Sequence, residues 1–504
     1  MRQLRFEDGH SSSAFGIRET QENTVTKRIA IIGGGIAGVT AAWQLAKLAA
    51  AGADVHAVLF EASQRLGGIV ETVRESGFVV ECGPDGWVTE KPWARELAQE
   101  LGLGGEIIPS NDATRKTYIL IDGDLVAMPD GMRMMVPRDL DALDRSTLFS
   151  NSAKAAFRDE VNRASKLKAA APEDDESVAD FVQRHFGAEV LEKIGAPLLS
   201  GVFGGDVAKL SVRAVMAPFV AMEREHGSLI QALQQRAARQ GEAAAVFTTL
   251  RSGVGGLIDA MAAEIPAGWL RLGDAVLDLS RTAAGWSVTT AAGTETFDSL
   301  MLAVPADVAS ALLRQLDPEA AALMQMDSSS AVVAGFGFNE PVDLLPGFGF
   351  LVPPGSGESS LLAGTFVDQK FDGRAPDGCR LLRGFFGGST ADRLMHESDD
   401  AIAALALAEL RKVLGDLPAP VLTVVRRWPR ALPQYAVGHI ERMAVLSQRV
   451  EAMGQLWLLG NGYRGVGLPD LVRDARAAAR ECCGDIVSSV HLTGQEKQYA
   501  AKHT

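Results

Sequence analysis

The chain has 504 residues, 47% of them hydrophobic, with 52 glycines; that is too long for one ordinary core and predicts two or three packed units. A net charge of −14 argues against nucleic acid as a partner. The four cysteines, Cys82, Cys379, Cys482 and Cys483, have neither metal-ligand nor disulfide-framework spacing, so they read as free thiols in a reducing compartment, the last two as ordinary residues of a final helix.

Residues 1–26 are polar, mixed in charge and without an apolar segment. They read as an extension with no core to bury, not as a secretory or transit signal. No later run approaches the roughly twenty apolar residues that span a bilayer. Residues 27–32 form a wholly apolar run after a basic start, as in a strand buried on both faces of a parallel sheet. A glycine turn follows, then an Ala- and Leu-rich helix over 36–51 and a second strand over 54–60, a βαβ unit.

A helix is expected over 90–101, stopped by Gly102 and Gly104, and a hairpin over 118–128 about Asp122-Gly123. From 132 to about 222 helical periodicity replaces strand signals; Ser177 and Asp180 open one helix, with Val178, Phe181, Val182 and Phe186 as its apolar stripe. Strand signals return at 270–280, 285–293 and 299–306, and 331–338 through 380–388 predicts an antiparallel sheet. A helix over 398–414 precedes a closing strand–glycine–helix junction at 455–476.

Gly33-x-Gly35-x-x-Gly38 stands between strand and helix. The first glycine permits a tight turn, the second lets backbone approach a pyrophosphate, and the third lets helix pack on strand. Gly34, Ile36 and Ala37 complete the loop, whose helix N-terminus offers free N–H groups to phosphate. Glu61 ends the second strand at the spacing that accepts ribose hydroxyls, with Ala62 behind it. The plain alternative is a glycine turn in an α/β core. Arg65-x-Gly67-Gly68, followed by Ile69, is similar to a feature of the amine-oxidase-like flavoproteins, which implies FAD rather than a nicotinamide cofactor.

The stretches ECGPDGW (81–87), LSGVFGGD (199–206), MEREHGSLI (222–230), FGFLVP (348–353), GFFGGS (384–389), RWPRALPQYAVGHIERM (427–443) and LGNGYRGVG (459–467) narrow this further. As a set they resemble the oxygen-dependent protoporphyrinogen oxidase family. The resemblance implies an α/β fold with a discontinuous Rossmann-like FAD-binding domain (27–105, 250–305, 440–486). It adds a mixed or antiparallel-sheet substrate domain (106–131, 223–249, 306–439), an all-helical membrane-associating insertion (132–222) and a tail (487–504). It also implies oxidation of protoporphyrinogen IX to protoporphyrin IX by FAD, with O2 as acceptor and H2O2 as product. The alternatives are coproporphyrinogen III, another oxidase of the superfamily, and a binding module that has lost its flavin.

On the same basis Gly83, Pro84, Asp85 and Gly86 lie near the flavin, Val276 on its adenine side, and Trp428 against the cofactor. Gly460, Val466, Gly467 and Leu468, with Gly465, belong to a second turn that closes over the isoalloxazine. Gly201, Phe348, Leu351, Phe366 and Phe385 line the substrate cavity. No side chain is assigned a catalytic role, because flavin N5 carries the chemistry, and no metal is expected. Two positions depart from the family. Thr117 stands where a propionate-binding cation is usual, so Arg115 or Lys116 is expected to supply that charge, and Asp85 puts a carboxylate beside the flavin. Residues 131–171 carry eight basic against five acidic residues, and with the apolar tip at 131–136 this matches peripheral contact with the inner, cytoplasmic membrane face. A homodimer is left open.

Overall fold

The computed structural model describes residues 26–240 and 245–484. The extension, apart from Thr26, and the tail at 487–504 lie outside the described residues.

Five short strands form one parallel sheet, in the order Leu270–Leu272, Val55–Glu61, Lys27–Ile32, Ser299–Leu302, Leu456–Leu458. Strands drawn from both ends of the chain are therefore separated by one strand. Their apolar runs are explained by burial on both faces. On one face Ile29 and Ile31 pack with Val39, Trp43, Val472 and Ala475 from the helices Ile36–Ala50 and Leu468–Cys482. On the other, Ala30, Ile32, Leu300 and Leu302 pack with Trp286 and Phe297 of a three-stranded antiparallel sheet and with Leu446 of the helix His439–Met453. Complete burial of each such Leu or Ile stabilises the fold by about 1.5–3 kcal/mol. The first and last helices touch directly, with Arg476 Nε donating to Gln44 Oε1 at 2.9 Å. Cys482 ends the last helix, and all four cysteines are free.

A seven-stranded sheet runs Leu422–Pro433, Ser328–Phe338, Arg380–Gly387, Ala363–Phe366, Gly349–Leu351, Thr117–Ile121, Asp124–Ala127. Its neighbours are antiparallel except Gly349–Leu351 against Thr117–Ile121. Asp122 and Gly123 both take positive φ at the expected hairpin, as a two-residue turn of matching twist requires. Register and two-residue alternation sort the side chains. Tyr118, Phe350, Phe366, Leu382 and Phe386 join Ile402, Ala406 and Leu410 of the helix Asp399–Leu414 in one core. Ile119, Leu351, Arg383, Phe385 and Trp428 occupy the opposite face.

That opposite face meets a helical unit. Its core includes Phe157, Phe181, Phe186, Ile194, Leu199 and Phe219, and Leu351 and Val466 pack against it. Ser177 Oγ accepts from Asp180 N–H at 3.0 Å and caps the helix Val178–Phe186. The unit departs from expectation at both edges. Its start contains a small antiparallel pair, Met132–Arg133 with Val136–Pro137. At its end Leu229, Ile230 and Leu233 of the helix Leu229–Gln240 belong to the same core, because their spacing puts them on one face. Among the described residues, no helix is long and apolar enough to cross a membrane.

Candidate active site

The glycine loop after the first strand is set by contact. Gly33 has φ +106°, and a Cβ there would lie 2.4 Å from Ala303 O. A Cβ on Gly38 would lie 1.9 Å from Gly33 O, so helix and strand touch backbone to backbone. Gly35 differs: a Cβ there meets nothing within 4 Å. The loop is thus closed behind and open in front, where Gly35 begins the helix Ile36–Ala50 without a side-chain cap. Uncapped N–H groups at a helix start beside open space form a cradle for an anion. Glu61 reaches back to this loop, accepting from Gly34 N–H at 2.6 Å and from Ser63 N–H at 2.8 Å.

The second glycine pair folds onto the first. Gly67 N–H donates to Gly34 O at 2.7 Å, and Gly35 and Gly67 form an isolated parallel bridge. Both Gly67 and Gly68 have positive φ, and a Cβ on Gly68 would sit 3.2 Å from Gly35 Cα. Arg65 stands over the Trp428 ring at 5.7 Å and pairs with Glu71 at 3.3 Å. Val276 opens a strand just beyond Asp274, whose N–H donates to Glu61 O at 3.0 Å.

The closing turn ends at a second uncapped helix start, Gly467 before Leu468–Cys482. Gly460 and Gly465 have φ of +120° and +152°, and a Cβ on Gly465 would press on the Asp470 carboxylate at 3.0 Å. Asp470 also pairs with Lys91 at 2.5 Å. Val466 turns toward the helical unit, and Leu468 is buried.

Against Ile69 runs the segment 81–86, held by side chains of the seven-stranded sheet. Arg383 Nη1 donates to Glu81 O at 2.8 Å and Gly83 O at 3.1 Å, and Trp428 Nε1 donates to Cys82 O at 2.7 Å. A Cβ on Gly83 would lie 2.1 Å from Ile69 O, and one on Gly86 2.5 Å from Thr248 O. Asp85 is bound by Arg383 at 2.7 Å and by Lys370 at 2.9 Å. Burial alone would raise its pKa; the Lys370 and Arg383 charges outweigh burial and hold it down at about 2. Beside it, Glu81 and Arg374 are fully buried and 3.3 Å apart.

Comparison with known proteins decides what this constellation is. The family model described as flavin containing amine oxidoreductase matches residues 36–483. Coproporphyrinogen III oxidase of Bacillus subtilis (strain 168) is 32% identical over 471 residues, covering 90% of this chain and 97% of its own. Protoporphyrinogen oxidase 1, chloroplastic, of Arabidopsis thaliana is 30% identical, covering 91% and 88%. A crystal structure of a protein provisionally named a protoporphyrinogen oxidase, from Exiguobacterium sp. 255-15, superposes with a TM-score of 0.80 at 31% identity, covering 91% and 99%. The chain belongs to the flavin-containing amine oxidoreductase family.

As a flavoprotein oxidoreductase it uses FAD, and the residues present fit that cofactor. The open space before Gly35 and the two uncapped helix starts suit a long dinucleotide with a diphosphate and an electron-rich ring edge. Gly33–Gly38, Glu61, Ala62 and the Arg65–Ile69 turn form one continuous surface of this flavoprotein. The Asp85 charge, expected beside the flavin, is met by its two cations, and with Glu81 and Arg374 the cluster holds three cations against two anions.

The expected substrate residues divide. Gly201 faces Leu351 Cδ2 at 3.8 Å from a built Cβ, and Leu351 and Phe385 share a face through the register with Ala363. Phe348 is buried just before that strand, its N–H donating to Lys116 O at 2.8 Å. Phe366 is not brought to this group. It pairs with Leu382 and lies fully buried in the core on the far face, because alternation puts it one residue out of phase with Ala363 and Thr365. Arg115 is half-buried, its guanidinium 3.9 Å from Asp112, and Lys116 is exposed.

Sequence reasoning missed Arg383, Lys370 and Arg374. Only Arg383 had a signal, a basic residue inside the apolar strand 380–387; Lys370 and Arg374 lie before that strand and had none.

Proposed function

We propose that the chain oxidises a porphyrinogen to the corresponding porphyrin. The observation that supports this best is the pairing of a complete dinucleotide cradle with an apolar sheet face, carrying Leu351 and Phe385, walled by the helical unit at Gly201. A macrocycle with an apolar body and carboxylate arms suits that wall, with cations at its edge. FAD held in that cradle would supply the electron acceptor for three two-electron oxidations, with O2 as final acceptor and H2O2 as product. The chain's own residues orient and dry the substrate. Leu351, Phe385 and Gly201 exclude water, and the Arg383 and Trp428 hydrogen bonds keep 81–86 in place beside the cofactor. Arg115 is the cation best placed to meet a propionate. It lies two residues before Thr117, in extended backbone, on the side that Thr117 shares with Gly349 and Thr365.

Two porphyrinogens compete. The Bacillus relative, at 32% identity over nearly its whole length, carries the name coproporphyrinogen III oxidase and favours the tetracarboxylate. The Arabidopsis relative favours protoporphyrinogen IX. Aerobic turnover of each, followed by porphyrin fluorescence and peroxide together, tests the proposal. It stands if either is converted with one H2O2 per two electrons, and it falls if neither is.

Membrane contact is proposed on the basic excess at 131–171 alone. The expected apolar tip folds largely inward, with Met135 and Val136 fully buried. Co-sedimentation with anionic vesicles that is lost in high salt supports the contact; absence of binding at low salt removes it.

A further inference from the structure

The segment 434–439 joins two parts of the site that no single helix or strand connects. Tyr435 is buried, and its hydroxyl donates to Asn461 O at 2.6 Å while accepting from Gly465 N–H at 3.0 Å. His439 stacks on Tyr435, the ring centroids 3.9 Å apart and the planes 12° from parallel. Its Nε2 lies 3.0 Å from Tyr463 O. A carbonyl only accepts, so this nitrogen carries the proton, and Nδ1 is left to accept from Arg442 Nη2 at 3.5 Å. Three backbone groups of the closing turn are thus held by two stacked side chains from outside it.

The other end of the segment is anchored in the helical unit. Tyr435 O accepts from Ser211 N–H at 2.7 Å, and Val437 N–H donates to Lys209 O at 3.0 Å. Gln434 Nε2 donates to Phe203 O, and its side chain occupies the space over Gly205, where a Cβ would lie 1.5 Å from Gln434 Oε1. The brace therefore stands on a packed base.

The closing turn holds four glycines, Gly460, Gly462, Gly465 and Gly467, within eight residues. Such a backbone has many alternative conformations, so its N–H groups are ordered only if something outside the turn orders them. Groups aimed at a charge act most strongly when their geometry is set in advance. We infer that Tyr435 and His439 are positioning residues for the cofactor, fixing the backbone of the turn 460–467 so that its N–H groups meet bound FAD in a set geometry. The inference rests on the flavoprotein assignment and on that turn lying beside the cofactor.

The test uses the purified full chain, stripped of flavin and titrated with FAD, followed by the two-electron midpoint potential of the reconstituted protein. Tyr435→Phe keeps the stack and removes the hydroxyl; it should raise the FAD Kd about tenfold, the size expected for one buried hydrogen bond, and lower the potential. His439→Leu should act in the same direction. His439→Gln should keep the wild-type Kd and potential, since its Nε2 can still donate to Tyr463 O. Tyr118→Phe removes a hydrogen bond to Pro346 O of 2.8 Å on the far face of the sheet and should change neither reading. The inference is overturned if Tyr435→Phe and His439→Leu both keep wild-type values, or if Tyr118→Phe shifts them equally. A wild-type chain that takes up no FAD overturns the flavoprotein assignment itself.

Discussion

The Asp85 carboxylate sits 2.7 Å from the Arg383 guanidinium, which also holds the carbonyls of Glu81 and Gly83. One strand residue of the seven-stranded sheet therefore sets the backbone and the charge of a segment beside the glycine turns. The same arrangement predicts how the fold responds to acid. With its folded pKa near 2, below the ordinary carboxylate value, Asp85 contributes stability that is present above about pH 4 and lost as pH falls toward 2. Asp85→Asn should cost about 2–3 kcal/mol at neutral pH, since it leaves the buried Arg383 and the part-buried Lys370 without their nearest counter-charge. It should also flatten the loss of stability between pH 4 and pH 2. Urea midpoints measured from pH 7 to pH 2 check both.

The glycines of the first turn should separate folding from binding. Gly38→Ala forces a Cβ to within 1.9 Å of Gly33 O and should destabilise the chain by more than about 2 kcal/mol. Gly35→Ala meets no protein atom within 4 Å and should leave the Tm of the flavin-free chain unchanged. It should still weaken FAD binding by about tenfold or more, because its methyl group enters the cradle. Thermal melts and FAD titrations of the two variants check this.

A buried histidine bridges two carboxylates inside the helical unit. His185 is fully buried, with Nδ1 3.1 Å from Glu160 and Nε2 3.1 Å from Glu223. Both ring nitrogens can donate only when the imidazole is charged. Burial pulls its pKa down, but the hydrogen bonds to Glu160 and Glu223 outweigh burial and hold it above the ordinary value. The stabilisation is therefore complete below about pH 6.5 and lost as pH rises through the raised pKa. Hydrogen exchange in 151–233 should accelerate at alkaline pH before exchange in the parallel sheet does. His185→Leu should remove that pH dependence and cost about 2–3 kcal/mol, since Glu160 keeps only its Ser228 and Leu229 donors and Glu223 only Arg184.

Arg115 and Lys116 should behave differently although they are adjacent. Arg115→Ala should raise the KM for a porphyrinogen about tenfold with kcat nearly unchanged, as expected for loss of one charge-assisted hydrogen bond. Lys116→Ala should leave both constants near wild type, because alternation turns that side chain to the other side of the strand. Steady-state kinetics of the two variants check the assignment.

Much of the cofactor half was legible in the sequence because its physics is local. The strand 27–32 announces itself by an unbroken apolar run, Gly38 by its contact with Gly33 within one turn, and Asp122-Gly123 by the φ that a tight hairpin demands. The half built on the seven-stranded sheet depends on register, which is a long-range property. Phe366 and Phe385 are alike as sequence, yet their pairing with Leu382 and Ala363 puts them on opposite faces. Arg383 and Arg374, one in a strand and one in the loop before it, were illegible for a related reason: a buried cation is tolerated only where distant carboxylates, here Asp85 and Glu81, meet it in the interior. Tyr435 and His439 stood in a stretch that carried the family resemblance, but the groups they hold lie more than twenty residues away.

The central claim is that both ends of the chain grip one molecule of FAD. Hydrogen exchange of the backbone amides, compared with and without FAD, tests this most directly. The account predicts that FAD slows exchange at 33–38 and at 460–467 together, with one dependence on FAD concentration. Slowing confined to the first turn, with 460–467 unchanged at saturating FAD, would contradict it.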